Sequence, residues 1–294
     1  MSSRPRKVKP IAVLQEIFRY LKLQFSDLQS LARHYQDLPR CAGAEPLWVS
    51  LTTLPSRISR LGPTLKSLLD QEVRADGIRI NLPEVSRRES RGYDVPEFLR
   101  GLDCVSVVPC SRDWGPLTKL MPTLLDLQEQ PRARILVVDD DTIYPRTLLS
   151  TLGQASAELP SAAVCMRGWK VPFQERHANR RYIQASRCER PTPVEIMQGA
   201  SGFLVRAGSL PPAELQDPSL PPEAFFVDDI LVSGCLAKLG VERWVFPSDI
   251  AFTRMGSWSS WGTPTLVHGE NSDGRNNNLL YSHFGEHWQL RDER

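Results

Sequence analysis

Between residues 47 and 160 short apolar runs alternate with helical segments of roughly ten residues, and this alternation restricts the fold more than any other feature of the chain. Leu47 to Thr52, Gly77 to Leu82, Val105 to Pro109 and Ile135 to Val138 read as strands, with helices over Leu61 to Gln71, Leu117 to Gln128 and Pro145 to Leu159. A strand that rejoins its own sheet through a helix runs parallel to its predecessor. The expectation is therefore an α/β, Rossmann-like fold with a mainly parallel central sheet and helices on both faces. Beyond residue 160 the spacing becomes irregular. Ala162 to Met166, Gly202 to Val205 and Arg243 to Phe246 read as strands, separated by loops at Pro191, Pro193, Pro211, Pro212, Pro221 and Pro222. No internal repeat is visible, and 294 residues are ample for a large core.

Residues 1–45 stand apart as a basic leader followed by an amphipathic helix. Leu14, Phe18, Leu21, Phe25, Leu28, Ala32 and Tyr35 recur at alternating spacings of four and three, which sets them on one helical stripe. Packing against the main domain is the expectation for that stripe; a partner helix or a membrane surface along residues 11–35 is the alternative. Gln15, Glu16 and Arg19 interrupt the apolar run that a signal peptide needs, and no stretch of 18 uninterrupted apolar residues exists to span a bilayer. The leader is also compatible with an organelle transit segment. Pro39 to Pro46 forms a linker.

A formal charge of +2 gives no global reason to expect nucleic acid as a partner. Basic residues cluster at Arg4 to Lys9, at Arg87, Arg88 and Arg91, and at Arg176, Arg180 and Arg181, as solvated faces or as local anion or membrane contacts. The six cysteines lack a CxxC pair or regular spacing, which disfavours a zinc ribbon or disulfide framework. A reducing, cytoplasmic setting is the default, with peripheral membrane contact through residues 11–35 as the alternative.

The Ile135 strand ends in Asp139, Asp140 and Asp141, a triplet that no strand interior accommodates. Buried parallel strands deliver binding residues at their carboxyl ends. Adjacent carboxylates repel one another, and a hard divalent cation, Mn²⁺ or Mg²⁺, bridged to phosphate oxygens offsets that cost. The alternative is an acidic turn that caps the next helix, for which one Asp suffices. Ser50, Thr52, Thr53 and Arg57 follow the first strand, where hydroxyls and N–H groups meet a base or phosphate, or where they merely cap a helix. Asp113 and Lys119 flank Trp-Gly-Pro-Leu-Thr, a turn into a helix, and Lys119 offers a point charge to a phosphate or stays a surface lysine. Phe225 and Phe226 precede Asp228 and Asp229, a carboxylate pair that opens a helical run and reads as a desolvated base, as an N-cap, or as both.

The order Trp48-Val-Ser-Leu-Thr-Thr-Leu-Pro-Ser-Arg-Ile58, Asp113-Trp-Gly-Pro-Leu-Thr-Lys119 and Val-Asp-Asp-Asp resembles a GT-A-fold, family-2-like nucleotide-sugar glycosyltransferase over roughly residues 47 to 250. The resemblance implies hexosyl transfer from a nucleoside-diphosphate sugar to a glycan, lipid or other hydroxyl acceptor. It makes residues 46–160 a nucleotide-binding half and 161–294 an acceptor half with a C-terminal lid. It implies that the first strand and its loop hold the nucleotide, that Asp141 contacts the metal, and that Asp139 contacts ribose or metal with Asp140 between them. It further implies that Asp228 or Asp229 removes the acceptor proton in an inverting reaction, although Asp-Asp replaces the Glu-Asp common in the family. Gly202, within Gly199 to Val205, matches the glycine segment that approaches the sugar or forms a bulge. His268 corresponds to a lid histidine that completes the metal site, and Trp258 and Trp261 to an acceptor platform or lid hinge. Trp169 serves either sugar stacking or packing.

Two other classes stay open. A nucleotidyltransferase shares the layering but wants an early glycine-rich phosphate loop, which Ser-Leu-Thr-Thr-Leu-Pro-Ser is not. A catalytically silent binding protein would act through the helical stripe, and deletion of residues 1 to 40 would separate it from an enzyme.

Overall fold

The computed structural model describes residues 10–250, 255–257, 262, 266 and 269–292. Its central sheet begins with β1 (Leu47–Leu51), β2 (Gly77–Pro83), β3 (Val105–Cys110) and β4 (Arg134–Val137). Val49, Ile78, Ile80, Ile135, Leu136 and Val137 are fully buried, as strands covered on both faces require. A two-residue strand, β5 (Thr142–Ile143), follows the acidic triplet. Later strands are shorter: β6 (Ala163–Cys165), β7 (Arg167–Trp169), β8 (Ile183–Gln184), β9 (Thr192–Pro193), β10 (Ile196–Met197), β11 (Phe203–Arg206), β12 (Arg243–Val245) and β13 (Met255–Gly256).

Eight strands form one sheet in the order β3-β2-β1-β4-β11-β6-β12-β9. β3, β2, β1 and β4 are mutually parallel, β11 runs antiparallel between β4 and β6, and β12 is parallel to β6. Strands from both stretches of the chain therefore share one sheet. Around it lie α1 (Pro10–Phe25), α2 (Leu28–Asp37), α3 (Gly62–Leu69), the single turn α4 (Glu97–Arg100), α5 (Met121–Asp126), α6 (Leu148–Glu158), α7 (Asp228–Lys238) and α8 (Arg275–His283). The class is α/β with a mainly parallel sheet and an N-terminal helix. Two small sheets, β10-β7-β8 and β13-β5, accompany the central one.

Two local expectations are corrected. The helix expected over Leu117 to Gln128 is a 3₁₀ turn at Gly115–Lys119 followed by α5. Pro116 and Pro122 lack N–H donors, and each sits in a first turn, where none is needed. The single N-terminal stripe is split as well. Asp27 accepts a hydrogen bond from the Ser30 N–H at 2.7 Å and caps α2, so the chain turns between the two helices. Ala32 and Tyr35 of α2 pack into the core, whereas Leu14, Phe18, Leu21 and Phe25 of α1 face outward. α1 instead docks through Leu23 and through Arg19, whose Nε donates to Asp70 Oδ2 at 2.7 Å.

Candidate active site

Strand order reverses beside β1: the chain moves outward to β2 and β3, then returns to the other side as β4. At such a switch point the loops after two neighbouring strands diverge and leave a crevice. Here those loops carry Thr52 and Thr53 after β1 and the Asp triplet after β4. Because β11 is antiparallel to β4, with Phe203 opposite Val137, the turn before β11 reaches the same rim. The start of α7 closes the far side. The cavity has a volume of about 530 Å³ and is lined by Thr52, Thr53, Arg57, Lys119, the three triplet carboxylates and Asp228 and Asp229, among others.

The triplet divides by direction. The side chain of Asp140 is 10 % exposed; Thr53 Oγ1 donates to its Oδ2 at 2.5 Å and Arg57 Nη1 to its Oδ1 at 3.3 Å. Thr64 Oγ1 also donates to the Asp140 carbonyl at 2.8 Å. Burial raises its carboxyl to about 6, against the pull of Arg57. Asp140 therefore anchors the turn to the β1 loop rather than presenting a free oxygen to a donor. Asp139 and Asp141 are 27 % and 25 % exposed, on the cavity side. The Asp139 N–H donates to Tyr144 Oη at 2.7 Å, which fixes the turn from below.

Lys119 stands between the two carboxylate groups. Its Nζ is 2.6 Å from Asp139 Oδ1 and 2.6 Å from Asp228 Oδ2, and its side chain is 7 % exposed. Burial alone would lower this ammonium's pKa, but Asp139, Asp228 and Asp229 together hold it well above the usual lysine range. Asp229 Oδ1 accepts from the Gly199 N–H at 2.8 Å. Burial, then the charge of Asp228, pushes the Asp229 carboxyl up to about 8. Gly199 allows the close fit, since a Cβ there would lie 2.6 Å from Lys119 Nζ and 2.9 Å from Asp229 Oδ1.

The remaining wall is cationic on one side and aromatic on the other. Arg88 joins Arg57 near the β1 loop, its pKa lowered by burial and then by the Arg57 charge. Opposite them, Trp169 Nε1 and His177 Nδ1 meet Tyr281 Oη at 2.8 and 2.9 Å. Trp169 also lies edge-on to Tyr182, 5.5 Å between centroids. At 2 % exposure Trp169 is mainly a packing residue that leaves one edge on the cavity. Arg88 was visible in the sequence only as part of a basic cluster. His177, Tyr182 and Tyr281 carried no local signal, because only the fold brings them to Trp169.

Two expected donor residues lie beneath the cavity. Ser50 is fully buried and its Oγ donates to the Lys119 carbonyl at 2.5 Å, so it holds the Lys119 turn against β1. Gly202 has φ +85° and a Cβ would face Leu148, so its role is backbone geometry. Asp113 borders the cavity, but its oxygens accept from the Gly115 and Arg87 N–H groups, each at 2.7 Å, and shape the turn. Phe225 and Phe226 pack edge to face, and Phe226 lines the cavity beside Asp228. His268, Trp258 and Trp261 lie outside the described residues.

Among the described residues no three His, Cys, Asp or Glu side chains converge as a ready metal cage. Asp139 and Asp141 nevertheless offer two hard oxygen donors on one side of a turn. Mg²⁺ and Mn²⁺ shared with a diphosphate need only one or two carboxylates, with phosphate and water completing the shell. The residues present fit such a shared site.

No family model matches the chain, and no curated protein matches it in sequence. Among solved structures, 4-diphosphocytidyl-2C-methyl-D-erythritol synthase aligns at 11 % identity and a TM-score of 0.42, covering 81 % of this chain and 100 % of that one. GalNAc-T7 in complex with UDP, GalNAc and Mn²⁺ aligns at 12 % identity and a TM-score of 0.45, covering 82 % of this chain; the match spans 52 % of GalNAc-T7. Neither similarity is strong enough to bear on activity.

Proposed function

We propose that this chain is a metal-dependent glycosyltransferase that moves a sugar from a nucleoside-diphosphate donor to a hydroxyl acceptor with inversion. The observation that carries the reading is a single cavity lined by both the triplet and the Asp228–Asp229 pair, with Lys119 bridging Asp139 and Asp228. Thr52 and Thr53 border the donor end, and Arg57 and Arg88 supply positive charge for phosphate oxygens. Mn²⁺ or Mg²⁺ held by Asp139 and Asp141 would supply charge neutralisation to the departing diphosphate. Lys119 adds a second, fixed cation. Asp229 receives the acceptor proton, and its elevated pKa makes it a stronger base than an ordinary surface carboxylate. Tyr182, with the Arg167 guanidinium stacked over its ring at 3.6 Å, and the edge of Trp169 line the acceptor side.

The test is a panel of nucleotide sugars scored for nucleoside diphosphate release with Mn²⁺, Mg²⁺ or chelator. Chelator-sensitive release with one donor, lost in Asp139→Asn and Asp141→Asn, is the expected result. Unchanged turnover in both variants would remove the donor site as drawn. Release of pyrophosphate from a nucleoside triphosphate would make the protein a nucleotidyltransferase. Retained transfer in Asp229→Asn would point to a retaining reaction.

A further inference from the structure

We propose that α1 is a surface-docking helix that holds the protein against an anionic lipid bilayer. The helix packs on its domain through Leu23, with Ala12, Val13, Arg19 and Tyr20 partly covered, and still leaves a second set of large apolar side chains turned outward. Arg19 donates to Asp70 Oδ2 at 2.7 Å and to the Tyr144 carbonyl at 2.9 Å, and Lys66 Nζ donates to the Gln24 carbonyl at 3.0 Å. These contacts fix which face is turned out. That face carries Ile11, Leu14, Phe18, Leu21 and Phe25, which are 63, 55, 69, 48 and 91 % exposed. Such a row of large apolar side chains is costly in water and marks an interaction surface.

Charge selects the occupant. Arg4, Arg6, Lys7 and Lys9 directly precede the helix, and residues 1–15 contain no carboxylate. Glu16, the single acid of α1, is paired with Arg19 at 3.1 Å. The apolar row is thus preceded in sequence by cations with no carboxylate before Glu16, and the exposed carboxylate that follows it, Asp27, is held as the cap of α2; this complements acidic headgroups over a hydrocarbon boundary. The spacing would also seat a second copy of α1, but parallel pairing would bring two cationic leaders together. At 16 residues the helix is too short to span and suits the interfacial plane. The proposal is independent of the reaction assigned to the cavity.

Flotation of the full chain with phosphatidylcholine vesicles, with and without phosphatidylglycerol, tests it. Binding is expected only to the anionic vesicles. Phe18→Ser with Phe25→Ser, and separately Lys7→Glu with Lys9→Glu, should each reduce the bound fraction about tenfold or more. Unchanged thermal midpoints would show that the fold is intact, and Phe25→Ser alone serves if the double variant unfolds. Failure to bind anionic vesicles, or binding insensitive to both pairs of changes, overturns the proposal. A dimer in light scattering that the Phe variants convert to monomer, with no vesicle binding, assigns the face to a second copy instead.

Discussion

Asp139 and Asp228 hold the same ammonium: Lys119 Nζ stands 2.6 Å from a carboxylate oxygen of each. The charge of one lysine thereby couples the end of β4 to the start of α7. Lys119→Met removes the ammonium that offsets the charges of Asp139, Asp228 and Asp229. Removal of one partner from a buried charge cluster costs about 3–5 kcal/mol. The expected outcome is a loss of that order in urea denaturation. The thermal midpoint should also rise with Mn²⁺ more steeply than in the unaltered protein.

The proposed reaction ties the pH dependence of transfer to Asp229. Its carboxyl is raised to about 8, so the rate should climb as pH rises through that value and Asp229→Asn should abolish the climb. Stability changes in the opposite direction. The folded state binds this proton more tightly than the unfolded chain, whose carboxyl has the ordinary value of 3.8. The contribution is complete below that value and is lost as pH rises through about 8. Urea midpoints of protein and Asp229→Asn across this range measure it.

Gly199→Ala separates site geometry from fold. The added Cβ would meet Lys119 Nζ and Asp229 Oδ1 within 3.0 Å, and both are side-chain ends that shift more readily than backbone. A loss of about tenfold or more in kcat, with a stability change below about 1 kcal/mol, is expected. Equal activity would show that the Lys119 position is not critical.

His177 predicts an acid-sensitive fold on the aromatic side. Burial, then the Arg180 charge, lowers its pKa from 6.5 to about 4, so the neutral ring is favoured in the folded state. This stability is present above 6.5 and is lost as pH falls through about 4, by at most about 3 kcal/mol. His177→Gln should flatten that part of the urea-midpoint profile.

Much of the fold was legible because burial on both faces leaves a continuous apolar run. β1 to β4 fall within a residue or two of their expected limits. The triplet was legible because no alternative to a strand end accommodates it. Ser50 was misplaced because composition does not distinguish a hydroxyl at the strand exit from one turned beneath it toward Thr123, 2.8 Å away. Gly202 was misplaced because a glycine needed for positive φ looks the same in sequence as one needed for ligand approach. The direction of α1 was hidden for a different reason. Periodicity gives the apolar stripe, while the Arg19 contacts with Asp70 and Tyr144 decide which way it turns.

The reversed direction of β11 has a consequence for how such a protein diversifies. A forward strand delivers its end to the rim, whereas β11 delivers its beginning, so the wall before it is built from the long excursion between β6 and residue 203. That excursion can lengthen, shorten or change sequence while Phe203 stays opposite Val137. The shape of that wall can therefore be altered without disturbing the strand alignment that positions the Asp turn.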